Sequence, residues 1–264
     1  MIKVTHINHM GDDLTVVNAA RVSFGKQSEA QGYTGAEGGA MRPILTDNDT
    51  RLINYLAKHK HMSPFGHCFA SFHVKAPIFV ARQLVKHKFL RWNEISRRYV
   101  DNPPEFFRPD EWRGRSVDAK QGSEGVVEVG GSVPVGRSEY SALECYQELL
   151  RQGVAPEQAR MVLPQSTMTE WYWSGSLDAF ADMCNLRLKD DTQYETSTVA
   201  DQIGEVMLDL FPSSWQALCP VSVPITKKPF DEYGNYGENN PPIRPITEGE
   251  RQRGKEKSIA NGRR

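Results

Sequence analysis

Twice in this chain a run that reads as a β-strand hands over directly to a helix. Phe69 to Lys75 alternates in the strand manner, and Pro77 can open a helix running from Ile78 to about Lys88. Thr167 to Trp173 is aromatic and strand-like, and Ser176 then stands where it can cap a helix carrying Leu177, Phe180, Cys184 and Leu188. A chain built on such handovers mixes strands and helices throughout.

The remaining elements are read in the same way. Lys3 to Ile7 reads as a first strand, and Asp12 or Asp13 caps a short helix through Arg21. Residues 25–46 are Gly-rich, polar and without periodicity, a long loop. Asp47 or Asp49 caps a helix with Leu52, Ile53 and Leu56 inward and Lys58-His59-Lys60 at its C-terminal end, where cations suit the helix dipole. Residues 108–137 hold six glycines, and GVVEV-GG-SVPV reads as a hairpin turning on Gly130-Gly131, a surface excursion. Ser138 to Gln152 is an amphipathic helix with Leu143, Tyr146 and Leu150 on one stripe and Gly153 at C′. Pro156 starts a short helix that stops before Pro164. Thr192-Gln-Tyr-Glu195 has the form of a capping box ahead of a helix with Val199, Ile203, Val206 and Leu210 inward.

From Val223 onward Pro and Gly are frequent, and residues 249–264 carry six basic residues against two acidic ones. We expect a mobile tail, whether merely solubilising or able to meet nucleic acid. The boundaries expected are therefore one domain over 1–222, with insertions at about 25–46 and 109–137, and a tail over 223–264.

Composition removes several classes of function. With 32 Lys+Arg against 33 Asp+Glu the net charge is −1, which argues against a general DNA-coating role. The start MIKVTHINHMGDD has no apolar core of signal-peptide length, and no apolar run could span a bilayer. Cys68, Cys145, Cys184 and Cys219 lie far apart with no CxxC pair, neither a disulfide framework nor a zinc pattern. We expect a soluble, cytoplasmic protein with reduced cysteines and no membrane partner. His59, His61, His67, His73 and His87 fall in one stretch but form no ligand pattern, so no metal is expected. GxGxxG, GxxxxGK[ST] and Gly-x-Ser-x-Gly are all missing.

The densest polar cluster is residues 82–99, with six Lys/Arg and His87 against the single acid Glu94. So much local charge is screened by water, met by distant acids, or matched to a bound anion. If the helix continues through it, Lys86, His87 and Lys88 fan out by about 100° per residue, while Gln83 and Lys86 share a face. Two more arginines sit among apolar neighbours, Arg160 between Ala159 and Met161 and Arg187 between Leu186 and Leu188. Each is either an internal ion pair, with Asp182, Glu195 or Glu157 as partner, or a guanidinium waiting for a planar or anionic ligand. Pattern alone reaches an anion-binding, nucleotide-type site.

Lys86-His87-Lys88, seven residues and Ser96 resemble the Arg-His-Arg-x7-Ser signature of flavin-dependent thymidylate synthases. Val17-Asn-Ala-Ala-Arg-Val-Ser-Phe24, His61-Met-Ser-Pro-Phe65, Phe72 to Gln83, Asn93-Glu-Ile-Ser, Ala159-Arg-Met-Val-Leu-Pro164 and Asn185-Leu-Arg187 follow in the family's order. The resemblance covers about 1–24, 47–108 and 138–221. It implies an α+β fold, a single domain with a mainly antiparallel sheet packed by long helices. It implies FAD as cofactor, NADPH and 5,10-methylenetetrahydrofolate as co-substrates, dUMP as substrate, and a homotetramer whose active sites are shared between subunits. No enzymic cysteine would attack the pyrimidine. By the same resemblance Gln83, Lys86, Glu94, Ser96, Arg97, Arg98, Arg160 and Arg187 would meet dUMP, with Arg187 and Ser96 in catalytic positions. Arg187 would hold the uracil ring in its N3-deprotonated form, and Ser96 would position the nucleotide. Ser63, Lys86, His87, Lys88, Glu94, Ser176 and Asp182 would meet FAD.

Lysine stands at both ends of the signature triplet, which keeps the charge and loses the two-pronged guanidinium. Ser176 and Asp182 stand where the family carries amides. The alternative is a nucleotide- or nucleic-acid-binding protein without turnover.

Overall fold

The computed structural model describes residues 1–35, 41–100, 102–116, 122–130, 133–220 and 249. Gly131 and, apart from Gly249, the tail lie outside these residues. The strands are β1 (Lys3–Met10), β2 (Gly32–Thr34), β3 (Arg42–Ile44), β4 (Phe69–Pro77), β5 (Arg91–Glu94), β6 (Arg113–Arg115), β7 (Ser123–Val126) and β8 (Met168–Ser176). The helices are α1 (Asp13–Arg21), α2 (Asp47–Lys58), α3 (Ile78–Leu84), α4 (Val135–Arg151), α5 (Pro156–Ala159), α6 (Leu177–Arg187), α7 (Tyr194–Leu210) and α8 (Pro212–Leu218).

Four strands form one antiparallel sheet in the order β1-β4-β8-β5. Alternation decides its two faces. Ala70, Phe72, Val74 and Ala76 of β4 and Trp171 and Trp173 of β8 are buried under the helices. The Phe180 ring of α6 meets Phe72 and Trp173 edge-on at 5.2 and 5.6 Å, and Trp92 of β5 stacks on Trp171 at 4.2 Å. Truncating such a ring costs about 3–5 kcal/mol. The opposite face is polar: Ser71 bonds Ser174 at 2.8 Å, and His73 meets Glu170 at 3.1 Å. The two handovers are present as expected, from β4 to α3 and from β8 to α6, and the fold mixes an antiparallel sheet with eight described helices.

Several local expectations are corrected. β1 runs on to Met10 through an irregularity between His6 and Asn8. The stretch 25–46 is not all loop, because β2 and β3 pair within it and Arg42 reaches Asp209 at 2.9 Å. The cap of α2 is Thr46. Asp49 turns inward instead, 1% exposed, accepting from Arg21 at 2.6 Å, Thr46 Oγ1 at 2.7 Å and Ser28 at 2.8 Å. Burial pushes its carboxyl up, but the hydrogen bonds from Thr46, Arg21 and Ser28 outweigh that and hold it below the ordinary value. The hairpin of the 108–137 segment is β6–β7, not one turning on Gly130-Gly131. α4 begins at Val135, three residues early. The capping box at Thr192 does not form. Gln193 is the N-cap without a side-chain cap, Thr192 bonds Leu186 O at 3.2 Å, and Glu195 is drawn to Arg113. Two further elements, β5 and α8, are not legible in the sequence. The N-terminus of α8 is held by buried Asp13, which accepts from Ser213 N and Ser214 N at 2.8 and 2.9 Å.

Candidate functional site

α3 ends at Leu84, not Lys88, so Lys86 and Lys88 sit in an exposed turn rather than fanning around a helix. Gly175 lets that turn lie against β8. A Cβ there would overlap Leu90 Cδ2 and stand 3.1 Å from Phe89 O, and Phe89 itself has φ +65°. The turn brings His87 to Arg187, the last residue of α6. Arg187 Nε donates to His87 Nε2 at 2.9 Å, and Nη2 donates to the Gln83 carbonyl at 2.9 Å.

These bonds fix protonation states. His87 accepts at Nε2, so it is neutral with its proton on Nδ1. Burial, and then the Arg187 charge, push it down to about 4. Burial also lowers Arg187, which stays cationic because guanidinium starts so high. Its two anchors are both uncharged, and three of its five N–H donors have no partner among the described residues. Of the two readings of Arg187, the ion pair with Asp182, Glu195 or Glu157 is not made.

Gln83, Lys86 and Arg187 line one cavity of about 1110 Å³, together with Phe79, Phe107 and the β6–β7 hairpin. Gln83 Nε2 donates to Gln193 Oε1, which leaves its own amide oxygen available. Gln193 and the hairpin residues Trp112 and Arg113 were missed in the sequence. Gln193 lay inside the supposed capping box, and the hairpin lay outside the resemblance.

A second group lies at the end of β5. Glu94 accepts from Trp92 Nε1 at 3.1 Å and Thr169 Oγ1 at 2.6 Å, while Ser96 Oγ accepts from Arg98 N at 3.3 Å. Arg97 donates to Asn102 O. Arg98 stands 3.6 Å from the Glu157 carboxylate, and Arg160 Nε donates to Glu157 O at 3.2 Å, so both arginines gather at one residue. Arg160 is exposed, not near the core, because its short helix turns only Ala159 inward. Among the described residues no hydrogen bond or ion pair ties this group to the cavity.

A third group lies at the other end of α6. Leu177 N donates to Cys68 O at 2.8 Å, which seats the turn that begins at Ser63 beside Ser176. Ser176 occupies the N-cap position without a side-chain cap bond. Burial raises the Asp182 carboxyl, Asp178 adds to this, and Lys60 opposes it. With 1.5 Å of rise per residue, Ser176 and Arg187 are separated by roughly 16 Å of helix. One chain therefore does not gather all the expected residues at a single point. Cys68 and Cys184 are buried and their thiols pushed up by that burial, Cys68 to about 12, which suits neither as a nucleophile. No group of three metal-binding side chains and no membrane-spanning helix occurs among the described residues.

Comparison with known proteins places this geometry. The sequence model of the family described as thymidylate synthase complementing protein matches residues 5–213. A flavin-dependent thymidylate synthase of Thermus thermophilus is 38% identical over 80% of this chain and 73% of its own. One from Thermosipho melanesiensis is 36% identical over 80% and 87%, and one from Rickettsia prowazekii 34% over 88% and 76%. Among solved structures, the UMP/dUMP methylase PolB from Streptomyces cacaoi bound with 5-Br dUMP superposes with a TM-score of 0.68 at 30% identity, covering 82% of this chain and 94% of that one. With residues 5–213 matched by the family model and relatives up to 38% identical over 80% of the chain, the chain belongs to the flavin-dependent thymidylate synthases.

Proposed function

We propose that this protein is a cytoplasmic enzyme that converts dUMP to dTMP, taking the carbon from 5,10-methylenetetrahydrofolate and a hydride from NADPH, and releasing tetrahydrofolate and NADP⁺. The single observation that carries this reading is Arg187, a half-buried cation anchored on two uncharged acceptors in a cavity with Gln83 and Lys86. A charge so placed stabilises a pyrimidine that has lost its N3 proton, and the extra electron density at C5 makes that carbon the nucleophile. Gln83, Lys86, Ser96, Arg97, Arg98, Arg160 and Glu94 hold the nucleotide, with Arg98 and Arg160 released from Glu157 to the phosphate.

The residues suit a flavin. Ser176 spends no hydroxyl on its helix, Ser63 and Lys88 are exposed, and Lys60 offsets the Asp182 charge that would repel a diphosphate. Bound FAD supplies the relay of the hydride from NADPH to the carbon being reduced. Lys86, His87, Lys88, Glu94, Ser63, Ser176 and Asp182 bind it.

A homotetramer unites the three groups. Phe89, Tyr99 and Met161 are 84%, 77% and 80% exposed beside the very residues that need a partner, which supports sites completed by neighbouring protomers. Residues 1–222 form the catalytic domain and 223–264 the tail in this reading, and deleting residues 230–264 leaves tetramer and activity intact. The test is the visible spectrum of purified protein with and without dUMP, followed by tritium release from 5-tritiated dUMP. A yellow protein that releases tritium upholds the reading. A colourless one that binds DNA with strong salt dependence overturns it.

A further inference from the structure

Glu111, Trp112, Arg113 and Ser123 lie outside the sequence resemblance, yet they form one wall of the cavity that holds Gln83, Lys86 and Arg187. What holds this wall is the first turn of α7. Arg113 Nη2 pairs with the Glu195 carboxylate, which is only 4% exposed and would be an uncompensated buried charge without it. The same guanidinium lies 4.3 Å from the centre of the Tyr194 ring. Arg113 Nε also donates to Ser123 Oγ at 2.9 Å, so one side chain braces both strands of the hairpin and fastens them to the helix.

A second contact does not involve charge. Gly122, at φ +83°, lies so close to the chain ahead of α7 that a Cβ would sit 3.2 Å from both Asp191 Cα and its carbonyl oxygen. The same turn of α7 begins with Gln193, the acceptor for the Gln83 amide. The hairpin and the amide of Gln83 therefore hang from adjacent residues of a single helical turn.

We propose that Arg113 is a positioning residue for the nucleotide pocket. By pinning the β6–β7 hairpin to Tyr194 and Glu195, it fixes the wall that closes the cavity beside Gln83 and Arg187, and so sets the affinity for dUMP rather than the rate of chemistry. This rests on the reading of the cavity as the dUMP pocket. Arg113 need not touch the nucleotide, and the latch is neutral overall, so it adds no charge to compete with Arg187.

The test uses the flavin-loaded enzyme. Arg113→Ala is expected to raise KM for dUMP by about tenfold or more while kcat stays within about threefold. Flavin content should match wild type. Arg113→Lys should recover part of the loss, because the ammonium can reach Glu195 but cannot span both strands. Gly122→Ala leaves every charge in place and should raise KM in the same direction. Limited proteolysis without substrate reads the latch itself, with faster cleavage in the hairpin of Arg113→Ala than of wild type. An unchanged KM in both Arg113→Ala and Gly122→Ala, or equal cleavage rates, overturns the proposal. If wild-type enzyme fails to release tritium from dUMP, the assigned reaction fails instead, and the proteolysis comparison still decides whether Arg113 is the latch.

Discussion

Two clusters of cations in this chain are held by opposite means. At the cavity, Arg187 is gripped by an imidazole nitrogen and a backbone carbonyl, neither of which cancels its charge. At the end of β5, Arg98 faces the carboxylate of Glu157, and Arg160 donates to the carbonyl of the same residue. The first arrangement fixes a cation and keeps its full field for whatever enters the cavity. The second parks Arg98 against an acid in open solvent, with Arg160 beside it, where such a pair is worth little and is readily exchanged for a phosphate. Rigid, uncompensated charge suits the place where negative charge develops during reaction. Exchangeable charge suits the place where a substrate's permanent charge arrives.

The comparison breaks most decisively at Arg187. Arg187→Ala should lower tritium release by about a hundred- to a thousandfold, the range found when one preorganised donor is removed from a reacting centre. The bound flavin should remain, and wild-type release would show that the anchored cation does no catalytic work.

The neutral anchor supplies the next test. His87 titrates near 4 when folded and about 6.5 when unfolded, so the unfolded chain takes up the proton first on acidification. Its contribution is fully present above about pH 6.5 and is lost as the pH falls toward 4. Thermal melts of wild type should therefore decline more steeply across that window than those of His87→Gln, which keeps an acceptor for Arg187. Parallel curves would mean that His87 is not the anchor that titrates.

At the exchangeable cluster the effects are smaller. Arg98→Ala and Arg160→Ala should each raise KM for dUMP by about tenfold with kcat nearly unchanged, as expected when charge-assisted contacts to a phosphate are lost. Glu157→Gln should move KM the other way, by about threefold or less, because Arg98 no longer has to leave a carboxylate. A rise in KM for that variant would show that the Glu157 carboxylate positions Arg98 rather than holding it in reserve. The smallest effect is expected for Lys86→Arg and Lys88→Arg, whose dUMP affinity, read by titration, should hold or improve as the two-pronged contact returns. A large loss would mean that the lysines are specifically fitted.

Much of this was legible in the residues themselves. Alternation gave β4 and aromatic, strand-like composition gave β8, Asp12 was a true cap for α1, and the ordered blocks from Val17 to Arg187 carried the family. The errors share one cause. Thr192 to Glu195 has the composition of a capping box, but a carboxylate 82 residues from an arginine went to that partner instead. Asp49 could have capped α2, but Arg21 and Ser28 drew it inward and Thr46 took its place. β5 is four residues with no room for a period to show, and it exists because β8 offers it an edge.

Read alone, the order of residues determines which stretches can be strand or helix, which face turns inward, and how many cations the chain can bring to a ligand. These are properties of near neighbours, set by backbone geometry and the spacing of apolar groups. Only the folded chain decides which of those cations is cancelled and which is left charged. That choice depends on burial and on partners a hundred residues away, as His87 and Arg187 are, and no local pattern encodes it.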